Sequence, residues 1–248
     1  MLTNISVVII AQNAQETIVE TLSSLRHFSE VILYLNNSSD NTKEIASKYT
    51  NVRIINGDFI GFGPTKNKAA SYATNDWILS LDSDEVLLEA LQQELISLKL
   101  NNQYALYILK RDNYFLGKKI KHSGWGKDFL ARLYNKKTHS FNKNNVHESI
   151  ETTQMTQKIK LLNSFKHNAI TNINQFLYKI IKYSDLAAQN KKTCSFFVVF
   201  LKANFAFFKT YILQLGFLDG WRGFVIALSN FNGKFFRYTK RFINCKIK

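Results

Sequence analysis

An apolar segment of the chain ends abruptly in acidic residues. Residues 77–81 read Trp-Ile-Leu-Ser-Leu, and Asp82, Asp84 and Glu85 follow almost at once. A short apolar run is typical of an interior strand, whose own positions carry no charge. In open α/β sheets ligands bind beyond the carboxyl ends of the strands, where carboxylates hold a divalent cation against phosphate oxygens. Asp82 and Asp84 therefore predict a phosphate site with Mg²⁺ or Mn²⁺, with a solvated turn as the alternative, and Glu85 either serves it or begins the next helix.

The pattern around this segment alternates between strand and helix. Apolar strand-length runs at 5–11, 31–35 and 52–55 precede the run at 77–81, and helical patterns lie between them. Such spacing predicts βαβ units in a mixed, mainly parallel sheet with helices on both faces. A further helix is expected over 87–98, with strands after it, and from about Asn172 onward the patterns are helical. The fold class is therefore α/β with a helical carboxyl-terminal region.

The positive charge of the chain is concentrated in its last third. Residues 1–155 hold 17 basic and 16 acidic side chains, whereas residues 156–248 hold 16 and 2, out of a total net charge of +15. We therefore expect a nearly neutral domain over 1–155 and a basic helical region over 156–248. We expect such a region to bind an anionic partner, either nucleic acid or an anionic membrane surface.

One apolar stretch of the basic region is long enough to cross a membrane. Residues 196–218 are mostly apolar, but Lys202 and Lys209 interrupt them and, seven residues apart, share one helical face. A lysine near the centre of a helix disfavours a membrane span. The pattern favours an amphipathic helix lying at a membrane surface over an ordinary soluble helix.

The beginning of the chain and its cysteines bear on the cellular compartment. Residues 1–11 show no basic segment ahead of their apolar run, so no signal peptide is expected. Cys194 and Cys245 lack metal-ligand spacing and are too few for a disulfide framework, which suits a reducing compartment. We expect a cytoplasmic protein.

Several further side chains are candidates for contacts with a nucleotide. Asn36 and Asp40 follow the second strand and offer an amide and a carboxylate to a base and ribose, with a helix cap as the alternative for Asp40. Lys66 lies in the first turns of a helix whose amino end favours phosphate. A solvated lysine is the alternative for Lys66.

A second group of candidates lies between residues 111 and 148. If a sugar hydroxyl is the nucleophile, one carboxylate must accept its proton, and Asp128 is the candidate base, with a salt bridge as its alternative. Trp125, Arg111 and Arg132 are candidates for binding phosphate or an anionic acceptor. His147 and Glu148 either bring a third ligand to the metal or belong to a turn.

Taken together, these motifs resemble a known family. Ser6-Val7-Val8-Ile9-Ile10 with Asn13, the Asn37 to Thr42 turn, Lys66-Asn67 and Leu81-Asp82-Ser83-Asp84-Glu85 resemble the nucleotide half of family 2 glycosyltransferases with the GT-A fold. The later segment, which includes Gly124-Trp125, Asp128, Arg132-Leu133-Tyr134 and Val146-His147-Glu148, is similar to the subgroup that adds glucose to the inner core of bacterial lipopolysaccharide.

The resemblance implies roles for individual residues. Asp128 is the base, and Asp82 and Asp84, with His147, hold the metal. The residues implied in donor binding are Ala11, Asn13, Asn36, Asp40, Lys66, Asp82 and Ser83. The chain has Ala11 where the family usually has threonine and Leu35 where it often has an aspartate, so an altered base preference is possible.

The leading hypothesis is a metal-assisted inverting glycosyltransferase. It would move a hexose from a UDP-sugar, UDP-glucose first among them, to a lipopolysaccharide core or another lipid-linked saccharide on the inner face of the cytoplasmic membrane, without a nucleic-acid partner. One rival is a nucleic-acid-binding protein whose basic aromatic tail carries the function. Another is a nucleotidyltransferase, which uses the same carboxylates but attacks phosphorus.

Overall fold

The computed structural model describes residues 2–143, 148–188 and 195–246. Its strands are β1 (Leu2–Ala11), β2 (Phe28–Leu35), β3 (Val52–Asn56), β4 (Trp77–Asp82), β5 (Glu85–Leu87), β6 (Ala105–Phe115), β7 (Lys118–Lys119), β8 (Phe129–Asn135) and β9 (Gln157–Ile170). Its α-helices are α1 (Ile18–Ser23), α2 (Thr42–Ala46), α3 (Phe62–Ser71), α4 (Glu89–Ser97), α5 (Ile173–Ala188), α6 (Phe196–Phe208) and α7 (Trp221–Lys246).

The strands form one mixed sheet. Its order is β3-β2-β1-β4-β8-β6-β9-β5, with β7 beside β6. Strand β1 runs parallel to β2 and β4, and β2 runs parallel to β3, whereas β8 is antiparallel to both β4 and β6. The register places Ala11 beside Leu35 and Ile10 beside Asp82. Because these strands are parallel, their carboxyl ends meet at one edge, as predicted for a ligand site.

Helices cover both faces of the parallel strands. Val7 and Ile9 of β1 belong to an apolar cluster that includes Ile18 of α1, whereas Val8 belongs to a second cluster that includes Ala69 of α3. Neighbouring residues of a strand point to opposite faces, so the uninterrupted apolar run of β1 is explained by burial on both sides. This arrangement confirms the predicted α/β class.

Two segments differ from the expectation. Glu85 is not in the first turn of a helix, because Glu85–Leu87 pairs with β9 as a strand and the helix begins at Glu89. Residues 157–170, which fall within the region expected to be helical, form β9, and helix begins only at Ile173. In both places pairing between distant strands overrides a local pattern.

The described chain divides into two compact units. The first comprises Met1–Arg111 and Asp128–His167, and the second comprises Asp112–Lys127 and Asn168–Lys248. The boundary at residue 155, drawn from charge, stays a prediction about the roles of the two halves.

An aromatic cluster organises the second unit. Phe115 is fully buried, and its ring centroid lies 5.3 Å from that of Phe176, 6.2 Å from Trp125 and 6.4 Å from Trp221. Arg222 donates hydrogen bonds from Nε and Nη2 to the carbonyl oxygens of residues 115 and 116. Trp125, a predicted acceptor contact, therefore has a packing role in this unit.

Helix α6 exposes most of its apolar side chains. Within the described residues, Phe196–Leu213 is the one helical segment long and apolar enough to cross a membrane, and 22% of it is buried. Lys202 and Lys209 are both exposed, as the predicted amphipathic helix requires.

Asp219 fastens the loop that carries Trp125. Its carboxylate accepts hydrogen bonds from the amides of Lys121 at 3.1 Å and His122 at 3.1 Å, and from the hydroxyl of Ser123 at 2.8 Å. Three donors on one acid hold the loop against the 3₁₀ turn that ends at Asp219.

Removing this carboxylate should destabilise the protein. We expect Asp219→Ala to lower the free energy of unfolding by about 2–3 kcal/mol, because three donors lose a charged acceptor. The matched control is Asp185→Ala, since Asp185 is 60% exposed and pairs only at the surface with Lys240, so the change should stay below about 1 kcal/mol. Chemical denaturation of both variants checks this, and equal losses would contradict the role given to Asp219.

Candidate active site

The turn after β4 is held by contacts to its backbone. The amide of Asp82 donates to the Glu85 carboxylate at 3.0 Å, and the Thr21 hydroxyl donates to the carbonyl oxygen of Ser83 at 2.9 Å. Thr21 is fully buried in α1. These contacts fix the acidic turn to α1 and to Glu85. Ser83 takes part through its backbone carbonyl oxygen.

Lys66 connects Asp82 with a distant acid. Its ammonium lies 3.0 Å from Asp82 Oδ1 and 2.9 Å from Glu148 Oε1, and only 2% of Lys66 is exposed. The ring of Phe141 lies 5.3 Å from the same ammonium. A buried lysine needs such partners, because an unpaired buried charge is costly.

Arg132 connects Asp82 with Glu85. Its Nη2 lies 2.8 Å from Asp82 Oδ2 and 2.5 Å from Glu85 Oε1, and both Arg132 and Glu85 are buried. Arg111 approaches the same Glu85 oxygen at 3.5 Å through Nη1. Glu85 thus lies between two guanidinium groups.

Arg111 also holds the predicted base. Its Nε and Nη2 each lie 2.8 Å from Oδ2 of Asp128. Acids and bases therefore alternate through the site in an unbroken series, here called the charge chain: Glu148, Lys66, Asp82, Arg132, Glu85, Arg111 and Asp128. The charge chain links the acid at the end of β4 to the candidate base.

The charge chain shifts the pKa of its central acids in opposite directions. Burial acts to raise the pKa of Asp82, but the charges and hydrogen bonds of Arg132 and Lys66 outweigh it and hold that pKa well below its usual range. Burial raises the pKa of Glu85; Arg132 opposes this rise, and the neighbouring Asp82 and Asp84 add to it. Asp82 therefore stays ionised in the site.

Asp84 has a different neighbour, the imidazole of His167. Its Oδ2 lies 3.4 Å from His167 Nε2, and the β5–β9 register places His167 opposite Glu85. Within the described ranges, no group of three or more His, Cys, Asp or Glu side chains is arranged to hold a metal ion. Mg²⁺ is commonly held by one or two carboxylates together with phosphate oxygens and water. Asp84 fits such a partial ligand set, with His167 beside it, whereas the predicted ligand His147 lies outside the described residues.

The predicted nucleotide residues of the first two strands lie together. Ala11 ends β1 beside Leu35, and the amide of Asn36 donates to the carbonyl of Ala11 at 3.0 Å. Asn13, with φ 50°, accepts from the amide of Ser39 at 2.9 Å. These contacts join the turn after β1 to the turn after β2.

Asp40 braces the same two turns. It accepts from the amide of Gln15 at 3.0 Å and from the amide and hydroxyl of Thr42 at 3.1 and 2.6 Å. Partial burial acts to raise the pKa of Asp40, but these hydrogen bonds outweigh it and lower the pKa below its usual value. Asp40 has a structural role here, and its contact with a nucleotide stays a prediction.

The first unit brings together the predicted base and several of the predicted binding residues. Lys66, Asp82, Arg111, Asp128 and Arg132 are joined in the charge chain, and both arginines bind carboxylates of the protein. Trp125 belongs to the second unit, so its role toward an acceptor stays a prediction. Sequence reasoning left the part of Glu85 open, named Glu148 with His147 as a possible source of a metal ligand, and missed His167. His167 lies in β9, and the alternating pattern of that strand is the local signal in the sequence that bears on it.

The chain is similar to known glycosyltransferases. The model of a family described as glycosyl transferase family 2 matches residues 6–162. An uncharacterized glycosyltransferase of Rickettsia prowazekii is 30% identical over 252 residues, covering 95% of this chain and 86% of the relative.

Two solved structures are similar to the chain at a low level. One is S. aureus TarS 1–349 in complex with UDP-GlcNAc, with a TM-score of 0.48, 14% identity, and coverage of 99% of this chain and 92% of that one. The other is glucosyl-3-phosphoglycerate synthase from Mycobacterium tuberculosis with Mn²⁺, UDP and phosphoglyceric acid, with a TM-score of 0.37, 21% identity, and coverage of 44% and 43%. Both are too distant to assign individual residues.

The family assignment rests on the sequence similarity. The family model spans more than half of the chain, and the rickettsial relative matches nearly all of it. The predicted fold of the GT-A type and the predicted enzyme class are confirmed. The chain belongs to glycosyl transferase family 2 and is a glycosyltransferase.

Proposed function

We propose that the chain moves a hexose, glucose from UDP-glucose, to the lipopolysaccharide inner core or a similar lipid-linked saccharide, with inversion at the anomeric carbon. The observation that carries this proposal is the charge chain, which joins Asp82, beside the donor diphosphate, to Asp128, the proton acceptor. The choice of glucose and of the acceptor is supported by the resemblance of residues 113–148 to the inner-core subgroup.

The donor half of the reaction belongs to the turn after β4. Asp84 and His167 would hold Mg²⁺ or Mn²⁺, which neutralises negative charge on the departing UDP. Lys66 and Arg132 keep Asp82 ionised and in place. Ala11, Asn13 and Asn36 form the adjoining strand ends, where the base and ribose of the donor would lie.

On the acceptor side of the reaction, Asp128 would serve as the base. Inverting transfer requires one carboxylate that removes the proton of the attacking hydroxyl while the nucleoside diphosphate leaves from the opposite face of the sugar. Arg111 fixes Oδ2 of Asp128 by two hydrogen bonds, and this contact orients the carboxylate. An α-linked donor would then yield a β-linked product.

A lipid-linked acceptor requires the enzyme to work at a membrane. The basic composition of residues 156–248 and the exposed apolar side chains of α6 support peripheral binding to the inner face of the cytoplasmic membrane.

Identifying the released product tests the proposal. The purified protein is incubated with UDP-glucose, UDP-GlcNAc, UDP-galactose or GDP-mannose, a lipopolysaccharide inner-core acceptor, and Mg²⁺ or Mn²⁺. We expect release of UDP, fastest from UDP-glucose, together with a β-linked hexose on the acceptor. Release of inorganic diphosphate would instead support a nucleotidyltransferase. Absence of turnover combined with salt-sensitive retention of DNA or RNA would support the nucleic-acid alternative.

A further inference from the structure

A groove of about 450 Å³ lies between α6 and α7 in the second unit. Its apolar lining is Leu201, Phe205 and Ala206, and its polar lining is Lys202, Lys209, Lys234 and Tyr238. We call it the lysine groove. Apolar walls beside three ammonium groups suit a ligand that is apolar along its length and anionic at one end.

The charge around the lysine groove is strongly one-sided. Residues 195–246 contain eight Lys and Arg side chains and a single acid, Asp219. That acid accepts hydrogen bonds from the loop at 121–123, so it is committed elsewhere. The described part of this segment therefore offers positive potential with little internal compensation.

The pKa of Tyr238 reflects the positive potential of the groove. Lys202 Nζ lies 4.4 Å from the centre of the Tyr238 ring and 3.4 Å from its hydroxyl. Burial acts to raise the pKa of Tyr238, but Lys202, Arg237 and Lys234 outweigh it and the pKa lies below its usual value. The groove thus favours a negative charge at this end.

An apolar stripe runs along α6 beside the groove. Phe197, Leu201, Phe205 and Phe208 are 68%, 50%, 60% and 48% exposed, and their spacing of four, four and three residues places them on one helical face. A contiguous exposed apolar surface of this kind marks an interaction site. Lys202 and Lys209 flank the stripe, which is the arrangement of helices that lie at a membrane interface.

We propose that the lysine groove binds the phosphate of an anionic phospholipid while the stripe on α6 enters the acyl region of the same leaflet. This inference rests on the proposed function in placing the enzyme at a membrane, and it names the surface and the lipid class. An anionic phospholipid carries both required features, a phosphate for the three lysines and acyl chains for the apolar walls. Nucleic acid would satisfy the lysines and stack on aromatic rings, but it has no acyl chains for the apolar walls.

Vesicle co-sedimentation of the full chain tests the inference. We expect binding to vesicles of phosphatidylcholine with phosphatidylglycerol and much weaker binding to phosphatidylcholine alone. Reversing the three groove charges (Lys202→Glu, Lys209→Glu, Lys234→Glu) should lower the partition coefficient by more than about 100-fold, because the loss of each basic residue near an anionic surface costs roughly a factor of five and each glutamate adds repulsion. The matched control reverses three exposed lysines of the first unit (Lys43→Glu, Lys99→Glu, Lys158→Glu).

The control decides between a site and a general effect of charge. It should lose less than about 5-fold, whereas an equal loss in both variants, or equal binding to both kinds of vesicle, would overturn the inference. If charge reversal impairs folding, judged by thermal unfolding, the neutral set Lys202→Gln, Lys209→Gln and Lys234→Gln is measured instead, with a 10-fold or larger loss expected. Release of UDP by the wild-type protein is assayed without vesicles, so failure of the proposed function is seen separately from failure of lipid binding.

Discussion

Replacing Asp128 with asparagine is expected to lower kcat for sugar transfer by about 10²–10⁴-fold while the KM for the donor changes little. The amide keeps the size of the carboxylate and leaves an oxygen for Arg111, so the fold of the site should persist. It cannot accept the proton of the attacking hydroxyl. The loss therefore falls on the chemical step, which is measured by steady-state formation of the glycosylated acceptor.

The control for this experiment is the same change at a surface acid. Asp76 pairs with the exposed Lys137 at 2.7 Å, and Asp76→Asn should leave kcat within about 2-fold. If Asp128→Asn retained more than a tenth of the wild-type kcat, or raised only the KM for the donor, Asp128 would not be the base.

The second large effect is expected from Arg132→Leu, which should lower the free energy of unfolding by about 3–5 kcal/mol. Arg132 binds both Asp82 and Glu85, and Glu85 is fully buried. Leucine fills part of the space but leaves the buried carboxylate with the amide of Asp82 and the longer contact to Arg111. Equilibrium unfolding in urea measures the loss.

A second substitution separates lost charge pairing from lost packing. Adding Glu85→Gln to Arg132→Leu removes the uncompensated charge, so the double variant should recover about 1–2 kcal/mol relative to Arg132→Leu alone. Arg53→Leu, at an exposed arginine of β3, should cost less than about 1 kcal/mol. A double variant no more stable than Arg132→Leu would show that the charge chain does not stabilise the site as described.

The fold of the first 82 residues could be predicted because its signals are local. The apolar run of β1 is long enough to indicate burial on both faces, and the acids at the end of β4 stand out against it. The dependence on local signals also explains the two segments whose structure differs from the prediction. Glu85 resembles the start of a helix in sequence, yet it forms a strand because β9, some 80 residues later, pairs with it.

The partners within the site could not be predicted for the same physical reason. Lys66 meets Glu148, and Asp84 meets His167, across long stretches of chain that no spacing rule connects. Arg111 and Asp128 were both identified as candidates, but for separate roles, and their mutual contact follows only from the pairing of β6 with β8. The prediction for residues 156–170 rests on charge composition. It overlooks their alternating pattern, which indicates a strand.

The most direct test of the account is calorimetric titration of UDP into the wild-type protein and into Asp84→Asn, each with Mn²⁺ and with chelator. We propose that the diphosphate of the donor lies at the turn after β4, held through Asp84. We therefore expect the wild-type protein to bind UDP about 100-fold more tightly with Mn²⁺ than with chelator, and Asp84→Asn to bind weakly under both conditions. Equal affinity of both proteins for UDP, with no dependence on the metal, would contradict it.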